Sequence, residues 1–235
     1  FEVFDSINCT FDIIWQKYNL SNQFQMPECY REKIDDKKQI VVWDITESEI
    51  ELCKDLSLSK NSLFIISQRK SIVHRKGYLA IRQILKNLNI DSKLHQYDQN
   101  GAPYLTDGRY ISISHTKDKA AVVIALRPVG IDLEHYQNKI IKVAPRFIHE
   151  NEISDPKKLN DIKYITQIWT AKEALYKIFR KKGIHFKSQL LVDKFDSLVS
   201  NDGIGTIFYN GKTYKYSLHF RYFSNFCLTL ATTKN

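Results

Sequence analysis

The sequence predicts a mixed α/β (α+β) fold in which the order strands–helix–strands occurs twice, an order that allows two similar halves. Two observations carry the prediction. Short runs of branched and aromatic residues alternate with longer stretches whose apolar residues recur at helical spacing. No linker-like segment divides them, and no run approaches the roughly 18–20 apolar residues that cross a bilayer.

From the N-terminus, TFDIIWQKY (10–18) and QIVVWDI (39–45) are strand candidates, rich in branched and aromatic side chains. Thr46 and Glu49 have capping-box spacing and open a short helix to about Leu58. A longer helix is expected from about Ser67 to Leu88, with Ile72, Leu79, Ile81, Ile84, Leu85 and Leu88 as its apolar positions. The run from Asp98 to Pro103 is a turn cluster. Tyr110–Ser114 and Ala120–Leu126 follow as strands, the second apolar enough for burial on both faces. Val129–Glu134 is a third. Asn160 or Asp161 can cap a helix that runs to about Lys182 and stops at Gly183. TYKYSLHF and YFSNFCLTLATT close the chain as an antiparallel pair.

Composition excludes several chemistries. The four cysteines show no C-x-x-C pair and the seven histidines no H-x-x-x-H pair, so neither a disulfide framework nor a zinc enzyme is expected. The first residues lack the basic region of a signal peptide, which points to a cytoplasmic protein. Lys and Arg outnumber Asp and Glu by 35 to 26, a net charge of +9. That balance attracts polyanions: nucleic acid, anionic membrane, phosphorylated cofactors or acidic proteins.

Carboxylates narrow the choice. Asp132 and Glu134 are two apart in a strand, so both point to one side about 6.5–7 Å apart. Such a pair repels itself unless it is protonated, solvated on an edge or bridged by a cation. On the later helix, Trp169, Glu173 and Lys177 are spaced i, i+4, i+8 on one face, with Lys172 and Tyr176 at its flank. One carboxylate beside two ammoniums suits a metal–phosphate site. Ser114 and His115 end a strand, where both can donate to a phosphate. Arg69, Lys70, Arg75 and Lys76 crowd a helix start with Arg82 beyond, which reads either as a phosphate site or as a solvated basic face. Arg180-Lys181-Lys182 is explained more simply by the helix dipole.

These elements, taken in order, resemble the 4′-phosphopantetheinyl transferase superfamily, in its long monomeric branch. The stretches are Gly101-Ala-Pro-Tyr, Ile111-Ser-Ile-Ser-His115, Val129-Gly-Ile-Asp-Leu-Glu134, Arg146-Phe with Glu152, and Trp169-Thr-Ala-Lys-Glu-Ala-Leu-Tyr-Lys177. The resemblance implies transfer of 4′-phosphopantetheine from coenzyme A to a serine of an apo acyl or peptidyl carrier protein, with Mg²⁺. It implies two pseudo-symmetric halves, each an antiparallel sheet packed on a long helix, with the active site between them. Residues 1–127 would form the nucleotide side, and residues 128–235 the metal and carrier side. Asp132, Glu134 and Glu173 match metal ligands. Ser114, His115 and Lys177 match phosphate-binding positions, Gly101, Pro103 and Tyr104 the loop beside the adenine, and Arg75, Lys76 and Arg82 fall near 3′-phosphate ligands. Ala102 departs from the lysine common in the family. Glu173 is the expected general base, directly or through a metal-bound water, with Lys172 orienting it and Lys177 and His115 stabilising charge. An acidic carrier protein gives the basic surface a purpose that needs neither nucleic acid nor membrane.

Overall fold

The computed structural model describes residues 28–35, 37–193 and 201–234. The strand expected over 10–18 lies outside them. Eleven strands are seen among the described residues, in two larger sheets and one hairpin.

The first sheet holds β1 (Glu28–Asp35), β2 (Lys38–Asp44), β5 (Tyr110–His115) and β6 (Lys119–Ala125), in the order β1-β2-β6-β5, with every neighbour antiparallel. Between β2 and β5 come α1 (Glu49–Cys53), α2 (Lys60–Ser67), α3 (Ile72–Asn87) and the hairpin β3 (His95–Tyr97)–β4 (Pro103–Leu105). The second sheet runs β7 (Val129–His135), β11 (Phe226–Thr233), β10 (Lys212–Tyr222), β9 (Asp202–Tyr209), β8 (Leu190–Val192), again antiparallel throughout. Before it closes, the chain forms α4 (Lys139–Val143), α5 (Ile162–Phe179) and α6 (Phe186–Gln189).

Period-two alternation divides the apolar side chains among three cores. Val41 and Trp43 of β2, with Val122 and Ile124 of β6, pack against Leu79, Ile81, Ile84 and Leu85 of α3. Ile165, Ile168, Ala171 and Leu175 of α5 pack against Ile207, Leu218, Phe220 and Ala231 of the second sheet. The alternate residues make the third core. Ile40, Val42, Ala121 and Val123 of the first sheet meet Ile131, Leu133, Leu228 and Leu230 of the second. Each sheet thus carries a long helix outside and the other sheet inside, which explains why all of β6 is buried. The plan is the expected one of antiparallel sheets and long helices, although the sheets hold four and five strands. Arg221 of β10 also forms a two-pronged ion pair with Glu32 of β1, at 2.7 and 2.9 Å, from one sheet to the other.

Several boundaries differ from expectation, each for a local reason. The capping box is Ser48 with Glu51, and the helix ends at Cys53 because Lys54 is extended and Asp55 turns left-handed at φ 59. The helix expected from Ser67 to Leu88 begins only at Ile72, after Ser71; Ser67 instead ends the preceding helix α2, which Gln68 caps. α5 is capped by Asp161, whose carboxylate accepts from Lys163 and Tyr164 N–H, and ends at Phe179 rather than Lys182. Arg180 takes a left-handed conformation there, φ 57, while its guanidinium donates to Pro103 O at 2.7 Å and Ile111 O at 3.1 Å. A tertiary contact therefore ends the helix. β1, ECYREKID, gives little strand signal because five of its eight residues are charged, two of them among the four less exposed alternate positions. DGIGTIFY of β9 is interrupted by glycine in the same way.

Gly130 fixes how β7 meets α5. A Cβ there would lie 2.0 Å from Ala174 O and 2.8 Å from Ile178 N, so the strand and helix backbones are in contact. Only glycine permits this approach. Gly130→Ala should lower unfolding free energy by about 1–3 kcal/mol, as overpacking does. Urea denaturation checks it; an unchanged midpoint would mean that the contact relaxes freely.

Candidate active site

The site forms where β5 and β7, an edge strand of each sheet, run side by side under α5. They share no backbone ladder. Instead Ser112 Oγ accepts the Ile131 N–H at 3.0 Å, and Ser114 Oγ accepts that of Leu133 at 3.3 Å. Ser114 also donates to Asp132 Oδ1 at 2.8 Å. A hydroxyl has one proton, so Ser114 is committed to Asp132, although the sequence suggested it as a phosphate donor.

Asp132 is 4% exposed. Its Oδ1 also accepts from Lys177 Nζ at 2.7 Å, while the same ammonium donates to Ile131 O at 2.9 Å. Oδ2 is buried and has no hydrogen-bond partner. Glu134 and Glu173 are the neighbours that feel this charge. Burial, and then Asp132, push Glu134 up to about 7, against the smaller pull of Lys139, the Trp169 N–H and Lys177. Burial and Asp132 likewise raise Glu173 to about 7, with Lys177 opposing and Glu134 adding to the rise.

Three carboxylates that destabilise one another, one with an unpaired buried oxygen, are the donor set for a hard divalent cation such as Mg²⁺. No group of three or more His, Cys, Asp or Glu side chains converges at metal-holding distance among the described residues. The donors fit the ion in chemistry; Lys177 holds the Asp132 oxygen in this arrangement.

His115 lies beside the trio, its ring against Gly77 of α3, where a Cβ would approach to 2.9 Å. The His74 ring is 6.0 Å away, centroid to centroid. Burial first, then the positive charges of Arg69, His74 and Lys177, hold the His115 pKa down. An anion entering that corner would meet converging positive potential.

A cleft of about 270 Å³ opens next to Lys177. One wall is the turn at 98–103. Asp98 Oδ1 accepts the amides of Asn100 and Ala102, and Gly101 supplies the left-handed φ of 79 that the turn requires. The other wall is the end of α5, Tyr176 and Lys177, followed by Arg180, Lys181 and Lys182. Gly101 and Pro103 line this cleft, whereas Tyr104 is outside its lining and 38% exposed.

Four other candidates lie elsewhere. Lys172 is fully buried on the far side of α5, donating to Phe147 O at 2.6 Å and Phe186 O at 2.9 Å and paired with Glu152 at 2.9 Å. It does not reach Glu173 to orient it. Arg82 is 3% exposed; it donates to Tyr78 Oη at 2.6 Å and lies over that ring, away from the cleft. Arg75 is held in a two-pronged pair with Glu49, and Lys76 is half-buried on α3, its charge bearing on Glu51. Conversely, sequence reasoning missed Arg180–Lys182 as a cleft wall. The dipole explanation of that basic run hid the left-handed turn that brings it there.

Residues 128–231 match the family model for the 4′-phosphopantetheinyl transferase superfamily. The family of that model is the one the sequence motifs resemble. The chain is similar to the 4′-phosphopantetheinyl transferase gsp of Aneurinibacillus migulanus, at 28% identity over 138 residues, covering 55% of this chain and 58% of that protein. It is also similar to the 4′-phosphopantetheinyl transferase psf-1 of Bacillus pumilus, at 26% over 153 residues, covering 61% and 62%. The matches thus span about three fifths of these relatives' lengths. The matched region contains all three carboxylates and Lys177, and no helix among the described residues is long and apolar enough to cross a membrane.

Two outcomes follow from the burial of charge. Lys172→Ala leaves Glu152 buried without its cation and should cost about 3–5 kcal/mol in urea unfolding; a loss of activity at unchanged stability would restore a catalytic role for Lys172. Glu173 has a folded-state pKa above its ordinary 4.5, at about 7. Its charge therefore opposes folding increasingly as pH rises through that window, and fully above it. Without divalent cations, Glu173→Gln should raise the melting temperature by a few degrees at pH 8 and have little effect at pH 4.5. Equal shifts at both pH values would contradict this reading.

Proposed function

We propose that the chain transfers the 4′-phosphopantetheine group of coenzyme A to a serine hydroxyl of an apo acyl or peptidyl carrier protein, releasing 3′,5′-ADP. The observation that carries this reading is the trio of buried Asp132 and half-buried Glu134 and Glu173 beside Lys177, at the edge of a cleft with a basic wall.

The carrier serine Oγ forms a bond to the β-phosphorus as the bond from that phosphorus to the bridging oxygen breaks. The electron pair leaves with 3′,5′-ADP, and the serine proton is taken up by a base. Glu173, held near 7, is poised to accept a proton at neutral pH. Lys177 moves its ammonium from Asp132 toward pyrophosphate oxygens, and His115 faces the phosphates from the opposite corner. Ser114 keeps Asp132 oriented through its hydrogen bond. Mg²⁺, held by Asp132, Glu134 and Glu173, would neutralise charge on the pyrophosphate. In this reading residues 1–127 serve the nucleotide and residues 128–235 the metal and the carrier. The net charge of +9 steers an acidic partner toward a monomeric, cytoplasmic enzyme.

Incubation with Mg²⁺, coenzyme A and apo carrier proteins, followed by mass measurement of the carrier, tests the proposal. The phosphopantetheine mass increment is expected with the wild-type protein. It should fall at least a thousandfold in rate with Asp132→Ala or Glu173→Ala, by analogy with the loss of a main electrostatic group. No increment with fatty-acid, polyketide or peptide carriers would refute the transferase reading.

A further inference from the structure

The two walls of the cleft are electrostatically unlike. The turn wall carries no cation; its one charged group is the Asp98 carboxylate, held low chiefly by the Ala102 amide. The helix wall presents Lys177, Arg180, Lys181 and Lys182 within six positions. Two of these are already engaged. Lys177 is bonded to Asp132 and Ile131 O, and Arg180 to Pro103 O and Ile111 O. Lys181 and Lys182 are exposed, and no carboxylate of the described residues forms an ion pair with either.

Their placement is built rather than incidental. Successive residues of a continuing helix would point about 100° apart, so neighbouring lysines would not share a wall. The left-handed turn at Arg180 breaks that rotation, and the cross-cleft hydrogen bonds of its guanidinium hold the turn in place. Lys181 and Lys182 then both line the cleft, near enough to the opposite turn that the charge of Lys182 bears on Asp98.

We propose that Lys181 and Lys182 are a phosphate-binding pair for the nucleotide end of the substrate, supplying from the helix wall the positive charge that the turn wall, with Ala102, lacks. The identity of that substrate as coenzyme A rests on the transferase reading. Lysine suits this role, since a compact ammonium with three donors on a flexible stem can follow a phosphate without a fixed angle. Asp98 forms no ion pair with either lysine, and its Oδ1 accepts from two amides of its own turn.

The test compares the wild-type protein with Lys181→Ala/Lys182→Ala and Lys181→Arg/Lys182→Arg, titrating each with adenosine 3′,5′-bisphosphate by calorimetry at several salt concentrations. Transfer to an apo carrier is assayed in parallel. The alanine pair should weaken bisphosphate binding about tenfold and flatten its salt dependence, with unaltered melting temperature. It should raise the KM for coenzyme A while leaving kcat within about twofold. The arginine pair should stay within about threefold of wild type. Unchanged affinity in the alanine pair, while the wild type binds and transfers, overturns this inference alone. A loss in the arginine pair as large as in the alanine pair overturns the role of charge. Failure of the wild type both to bind the bisphosphate and to modify any carrier overturns the transferase reading and this inference with it.

Discussion

The site depends on a seam with no backbone ladder. β5 and β7 lie at the edges of different sheets, and the two are joined by serine hydroxyls that take the place of carbonyls. Because Ser114 both accepts from Leu133 N–H and donates to Asp132, the bond that joins the sheets also orients the central carboxylate. Gly130, one residue before the first bonded amide, lets α5 settle on the same strand. Glu173 and Lys177 reach Asp132 only because strand and helix are that close.

This arrangement concentrates unfavourable charge. Asp132 keeps an oxygen without a partner, and two neighbouring carboxylates are held well above their ordinary range. Cores are normally free of such conflict, and its concentration at one place marks a site shaped for a ligand rather than for stability. By contrast, the buried Lys172 meets Glu152 and two carbonyls.

Much of the site was legible because it is built from local periodicities. Period two put Asp132 and Glu134 on one side of β7, and the helical repeat put Glu173 beside Lys177. What could not be read depends on contacts distant in sequence. Lys172 is adjacent to Glu173, yet the helical rotation turns it into a pocket formed by residues 147, 152 and 186. Arg82 lies beyond a basic run, but its position on α3 sends it into the core against the Tyr78 ring. The end of α5 was misplaced by three residues because the residues that stop it, Pro103 and Ile111, are some 70 positions earlier. β1 was missed for another reason: five of its eight residues are charged, Glu32 pairing with Arg221 of the other sheet, which leaves Tyr30 and Ile34 as a sparse apolar signal.

The third core bears on what counts as a unit in this protein. The region that matches the superfamily model begins at residue 128 and contains nearly all of the five-stranded sheet with its own helix. Cut out, it would expose Val129, Ile131, Leu133, Phe226, Leu228 and Leu230 together, the face now covered by β2 and β6. A continuous apolar face of that kind favours aggregation over folding. The recognisable half of the sequence is therefore not a portable module, and fusion or truncation designs need to keep the first sheet even where its residues carry no motif.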